Sequence, residues 1–226
     1  MAAQHTILVS FSGVDGAGKS TQIENLLSHL RDAGLRVRLL AFWDDVAVLK
    51  GLRETSSHAL FNSEKGIGAP GKPVNRRDKN VRTWYMTPVR FFLYFLDAVW
   101  LRTVLSRALN ADADVVVFDR YIYDELANLN LQSGFTRAFV RVLLWLSPKP
   151  EVAYLLDADP VAARERKPEY PLDFIQLSRA SYLKLSRMAN MNVMPAGSVE
   201  EVKMAVVAEI TGKLPFVQPA PSQIDR

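Results

Sequence analysis

The run Phe11-Ser12-Gly13-Val14-Asp15-Gly16-Ala17-Gly18-Lys19-Ser20-Thr21 concentrates residue types that bind phosphate. Gly13 to Ser20 fits the pattern G-x-x-x-x-G-K-[ST]. Glycines at these spacings let successive backbone N–H groups point into one concavity, and a following helix N-terminus adds its positive dipole end. Gly13, Asp15, Gly16, Ala17, Gly18, Lys19, Ser20 and Thr21 are therefore the candidate phosphate-binding residues. Phosphoryl transfer asks for positioned cations more than for covalent chemistry. Lys19 is placed to reach the terminal phosphates of a donor, and Ser20 and Asp119 to hold Mg²⁺ directly or through water. Arg120 can hold an acceptor phosphate bidentately. Arg164 and Arg166 lie on a short helical stretch ended by Pro168, which suits a lid over the transferred group. Plainer readings stand beside these: a strand-end ion pair for Asp119-Arg120, and a solvated helix face for Arg164 and Arg166.

The elements that must position these groups alternate between strand and helix. Thr6 to Ser10 reads as a buried strand before the loop, and Gln22 to Ala33 as a helix after it, with Ala33-Gly34 as its stop. Val37 to Phe42 reads as a strand near a sheet edge, because Arg36 and Arg38 interrupt its apolar residues. A short helical segment is expected from Asp44-Asp45 through Val46, Leu49 and Leu52. Thr87-Pro88 predicts a long helix to about Leu109, with Thr87 as N-cap. Its apolar side is Phe91, Phe92, Phe95, Leu96, Val99 and Leu105, while Arg90, Tyr94 and Asp97 share one ridge. Val115 to Phe118 reads as a central strand that ends in Asp119-Arg120-Tyr121. A helical hairpin follows, Asp124 to Asn130 and Phe135 to Leu146, and then a strand from Val152 to Leu156. Asp159-Pro160 caps the helix bearing Arg164, Arg166 and Lys167. The last elements are a helix from Leu172 to Asn190, a strand at Val193-Met194, and a helix opened by the capping box Ser198-x-x-Glu201.

This order predicts an α/β fold: a doubly wound, five-stranded parallel sheet of the P-loop NTPase type, with helices on both faces and a short lid. Its ligand site belongs at the carboxyl ends of the strands, just past which Gly13 to Ser20, Asp119-Arg120 and Asp157 all lie. Residues 1–212 read as one domain, with a basic loop at about 53–83, a lid at about 160–172 and a Pro-rich tail at 213–226. The basic loop, with Lys65, Lys72, Arg76, Arg77, Lys79 and Arg82, reads as a solvated loop or as a clamp on phosphates.

A chain of 226 residues with 49% hydrophobic and 23% charged residues suits one soluble domain with a sizeable core. The absence of cysteine excludes disulfides and thiolate metal sites. Met1 to His5 show no signal-peptide pattern, and the apolar stretch from Phe91 to Leu101 is too short to span a bilayer and is broken by Asp97. A cytoplasmic protein is expected, with no membrane partner. A formal charge of +4 suits small anionic substrates as well as nucleic acid. Only Trp84 and Tyr85 lie near Arg76-Arg77 as stacking platforms, so no nucleic-acid role is expected.

With these motifs assembled, the chain resembles the thymidylate kinase family of P-loop nucleoside monophosphate kinases. The resemblance lies in the loop with Asp15 inside it, in Asp119-Arg120-Tyr121, in Leu155-Leu156-Asp157-Ala158-Asp159-Pro160, and in the lid arginines Arg164 and Arg166. Arg179 and Tyr182 match an Arg-x-x-Tyr pattern, and Pro195 to Val202 resembles the segment against the donor's adenine. The resemblance implies ATP and Mg²⁺ as cofactors, a small phosphorylated acceptor with dTMP the default, and a homodimer through the helix of Pro88 to Leu109. It also implies that Asp15 contacts the acceptor sugar, that Tyr94 stacks on its base, and that Arg90 and Asp97 lie on the acceptor side. The chain departs from the family in the acceptor half. Phe42-Trp43-Asp44-Asp45 stands for the usual Arg-Glu-Pro-Gly-Gly run, Asp97-Ala98 for Asp-Arg, and Ile122 to Asn128 for a segment with Ser and Tyr-Gln. With Ala98 carrying no donor, an acceptor selectivity unlike that of an ordinary thymidylate kinase is expected. A related P-loop kinase for another small acceptor is the alternative. A nucleotide-dependent switch or ATPase is a third reading. It fits less well, because the chain has no Asn-Lys-x-Asp guanine motif and Arg120 stands where a motor ATPase carries an acid.

Overall fold

Strand β1 (Ile7–Ser12) runs through the middle of a five-stranded, all-parallel sheet with β3 (Val115–Asp119) on one side and β4 (Val152–Leu156) on the other. Strand β2 (Val37–Ala41) closes the edge beyond β3, and β5 (Asn192–Met194) the edge beyond β4. The computed structural model describes residues 6–47, 86–110 and 112–214. Register runs from Ile7 opposite Val115 to Phe11 opposite Asp119, so the β1 and β3 carboxyl ends finish level. The expected sheet is therefore present, with β1 in the middle and the apolar run Val115–Phe118 of β3 interior and buried on both faces, as a central strand requires.

Side chains of period two divide the core between the two faces. Ile7, Val9 and Phe11 pack with Val115 and Val117 against α1 (Lys19–Asp32) and α7 (Val199–Lys213), through Leu26, Leu30, Val206 and Ile210. Leu8, Val116 and Phe118 pack on the opposite face against α2 (Met86–Leu109), α4 (Gly134–Leu146) and α6 (Leu172–Ala189), through Leu101, Leu105, Val140 and Leu185. Gly34 ends α1 at φ 77°, a left-handed angle that glycine adopts without Cβ crowding. Asp159 Oδ1 accepts from Val161 N and Ala162 N and so starts α5 (Pro160–Arg166), and Ser198 with Glu201 forms the expected capping box of α7.

Several expectations shift. Helix α2 already includes Met86, so Thr87 lies inside its first turn and is not the N-cap. Phe92, Phe95, Val99 and Trp100 face outward on α2, and the ridge of Tyr94, Asp97, Ala98, Leu101 and Leu105 is the buried one. The first helix of the hairpin is the short α3 (Ile122–Leu126), which starts two residues early. Phe42–Val46 form a π-helical turn closed by Ala47 N to Phe42 O at 2.9 Å; Leu49, Leu52, the basic loop and the tail from 215 lie outside the described residues.

Candidate functional site

The carboxyl ends of β1, β3 and β4 open onto a cleft of about 610 Å³. Asp15 to Gln22 form its floor, Asp119 and Arg120 one wall, Arg166 and Lys167 at the end of α5 another, and Met194 to Val199 with Val202 the far end. The loop keeps its shape through glycines. A Cβ on Gly13 would lie 2.6 Å from the Leu156 carbonyl oxygen, and one on Gly16 would run into the backbone of Ala163 on α5. Both glycines also have positive φ, so the loop packs against β4 and α5 only without side chains at these positions.

Lys19 folds back over the loop. Its Nζ donates to Gly13 O at 2.8 Å and Val14 O at 2.9 Å and pairs with no carboxylate among the described residues. Burial, and next the neighbouring Arg120, lower its pKa from 10.5 to about 8. This makes a kinetic prediction. Above about pH 8, kcat/KM for a phosphate donor should fall by about tenfold per pH unit, because the free protein loses the ammonium charge. A pH profile of kcat/KM checks it, and a flat profile to pH 9.5 would contradict it.

Arg120 follows β3 with φ 64°, a left-handed angle that costs a non-glycine residue about 1–2 kcal/mol. Its N–H donates to Phe11 O at 3.0 Å, which ties it to the end of β1. Its guanidinium pairs with Asp15 on one side and faces Asp124 on the other. Burial works against the charge, but Asp15 and Asp124 outweigh it and hold the Arg120 pKa above its ordinary value.

A second, smaller hollow opens beside the cleft, lined by Gly13, Val14, Asp15, Arg120, Asn128, Lys167, Tyr170, Phe174, Ile175, Ser178 and Tyr182. Asp15, Arg120 and Lys167 belong to both spaces and mark where they meet. Lys167 is held by Glu169 at 3.3 Å. Arg179 grips Asp157 with two bonds of 2.6 and 2.7 Å and anchors α6 to the end of β4.

The fold thus brings Gly16, Ala17, Gly18, Lys19, Ser20, Thr21, Asp15, Asp119, Arg120 and Arg166 to one cleft, with Gly13 in the adjoining hollow. Arg164 lines neither space, and its Nε is buried without a partner among the described residues. Arg90, Tyr94 and Asp97 line neither space among the described residues; Asp97 and Ala98 have no exposed surface. Sequence reading had not singled out Lys167, Asn128, Tyr170, Phe174 or Asp124. For Asp124 a signal existed: a carboxylate three residues after Tyr121, amid Tyr121-Ile122-Tyr123 and Leu126-Ala127.

A family model described as "Methylmalonyl Co-A mutase-associated GTPase MeaB" matches residues 2–51, a stretch that includes β1, the loop, α1 and β2. Similarity along the chain is to proteins named thymidylate kinase. That of Bifidobacterium longum subsp. infantis is 28% identical over 222 residues, covering 90% of this chain and 85% of its own. That of Dinoroseobacter shibae is 29% identical over 225 residues, covering 90% and 96%. A "Probable thymidylate kinase" of Archaeoglobus fulgidus is 22% identical over 207 residues, covering 88% and 92%. Over about nine-tenths of its length the chain is thus similar to proteins named thymidylate kinase.

Proposed function

We propose that this thymidylate kinase-like chain transfers a phosphoryl group from ATP to a nucleoside monophosphate, with dTMP the first acceptor to test. The observation that carries the reading is the meeting of a phosphate-loop cleft and a second hollow at Asp15, Arg120 and Lys167. Two substrates held in those spaces would present their phosphates to each other at that point, which is the positioning that in-line transfer requires. In this reading the loop backbone and Lys19 hold the donor phosphates, Met194 to Val199 border the base, and Arg120 holds the acceptor phosphate.

The donor set fits Mg²⁺. Among the described residues no group of three or more acidic or histidine side chains could hold a metal by itself. Ser20 and Asp119 both line the cleft, as suits an ion that takes its other ligands from phosphate and water. Bound there, Mg²⁺ would neutralise charge on the phosphates. The MeaB match is confined to the loop and its flanks, and the sequence carries no guanine-reading Asn-Lys-x-Asp. ADP formation that depends on an added nucleoside monophosphate tests the reading, and ATP consumption indifferent to any acceptor counts against it.

Transfer to a different small acceptor is the second reading. It is favoured by Tyr94, Asp97 and Ala98, which are buried in α2 and line neither space. If nothing replaces the donor missing at Ala98, base discrimination weakens by about tenfold to a hundredfold or more. Measured kcat/KM across dTMP, dUMP, dCMP and dGMP decides. A preference for dTMP over the cytosine and purine nucleotides by several orders of magnitude would show that other residues read thymine.

The lid arginines give a further expected result. Among the described residues neither Arg164 nor Arg166 pairs with a carboxylate, and Arg166 Nε donates only to the Ala162 carbonyl at 3.1 Å. Replacing both with alanine should lower kcat more than it raises donor KM, because a closing lid meets the transition state more than the ground state. Arg166, which lines the cleft, should carry the larger share. Unchanged kcat with a raised donor KM would mean that they only help to hold the donor.

No helix among the described residues is long and apolar enough to cross a membrane, and the reading places the chain in the cytoplasm. The outward Phe92, Phe95, Val99 and Trp100 of α2, near Phe135, Val142 and Trp145 of α4, support a homodimer, which sedimentation would test.

A further inference from the structure

The Asp124 carboxylate is 3% exposed, and both of its oxygens are engaged twice. Oδ2 accepts from the Ser12 hydroxyl at 2.7 Å and from the Tyr121 backbone N–H at 3.1 Å. Oδ1 accepts from the Tyr182 hydroxyl at 2.8 Å and faces Arg120 Nη1 at 3.4 Å. The donors come from the end of β1, the turn after β3, helix α6 and Arg120 itself. A buried carboxylate is tolerated only with such compensation, so its charge and its place are fixed together.

Asp124 and Asp15 hold Arg120 in different ways. Asp15 lines the cleft and the hollow, where an arriving anion would compete with it for the guanidinium. Asp124 lines neither space. We propose that Asp124 is a positioning residue for the transfer reaction, a fixed anchor that keeps the left-handed Arg120 aimed at the junction of the two spaces when a phosphate replaces Asp15 there. The inference rests on the reading of Arg120 as the acceptor-phosphate residue.

Asparagine at 124 tests it sharply, because an amide offers one acceptor and one donor group in place of two acceptors. The Ser12 and Tyr182 hydroxyls can turn to accept, but Tyr121 N–H and Arg120 can only donate. Whichever way the amide lies, one of those two meets an N–H. Asp124→Asn should lower kcat with the acceptor by about tenfold or more and leave donor KM unchanged. In an Arg120→Ala background the same substitution should cost nothing further in kcat, because its effect passes through Arg120. Ser12→Ala removes one bond to the same carboxylate from a residue that lines neither space. It should show a smaller loss with the same dependence on Arg120, and it serves where Asp124→Asn does not fold. Equal losses in both backgrounds, or wild-type kcat in both variants, would overturn the inference while leaving transfer by the unmodified protein intact. Absence of acceptor-dependent transfer in the unmodified protein would instead overturn the reading of Arg120, and the inference with it.

Discussion

Replacing Lys19 with methionine is expected to lower kcat by at least about a hundredfold to a thousandfold while leaving the fold in place. Among the described residues the ammonium has only the Gly13 and Val14 carbonyls as partners, so its charge is free to meet phosphate. Methionine fills similar volume without that charge. Circular dichroism should be unchanged. The pH dependence of stability carries a second signature. The Lys19 pKa is near 8 folded and 10.5 unfolded, so between these values the unfolded chain keeps a proton that the folded chain has released. Over that window the unmodified protein gains stability with rising pH, and the methionine variant lacks this gain. Melting temperatures of the two, compared at pH 7.5 and 10, check the sign. Wild-type turnover in Lys19→Met would remove the phosphate-loop assignment.

The second large effect is expected at Arg120. On the proposed role of Arg120, alanine there removes a charge-assisted contact of about 1.5–3 kcal/mol to the acceptor phosphate, so kcat/KM for the acceptor should fall by about tenfold or more while donor KM holds. Stability should fall too. Alanine inherits the left-handed backbone at φ 64°, and Asp15 and Asp124 lose the cation between them. Lysine at 120 restores charge without the planar fork and should recover only part of the acceptor kinetics. If thermal stability falls and acceptor kinetics stay unchanged, Arg120 is a structural ion-pair partner alone.

What could be read from the chain beforehand was whatever neighbouring residues encode. The strand, glycine turn and helix around Lys19 are written within one short run, and Val152–Leu156 and its Asp159-Pro160 helix start are equally local. Helix α2 resisted because it is apolar nearly all round. With Phe91, Phe92, Phe95, Leu96, Val99, Trp100 and Leu101 together, periodicity does not choose a face, and the buried side turned out to hold Asp97. Only the local half of the Asp124 network, its contacts with Tyr121 N–H and Arg120, lies within one short run. The bonds from Ser12 and Tyr182 join residues 112 and 58 positions apart, and no local pattern announces them. Lys167 could be placed beside Arg164 and Arg166 but not given a role, because its place at the junction depends on how α5 packs against Gly16.

In a nucleoside monophosphate kinase the γ-phosphoryl group of ATP ends on the added nucleoside monophosphate. Phosphorus NMR of the purified protein with ATP, Mg²⁺ and dTMP, then with each other nucleoside monophosphate in turn, follows that group directly. Paired growth of ADP and a nucleoside diphosphate is expected, with no inorganic phosphate beyond background and loss of both products in Lys19→Met. Steady release of inorganic phosphate with no nucleoside diphosphate from any acceptor would contradict it and leave a nucleotide hydrolase in its place.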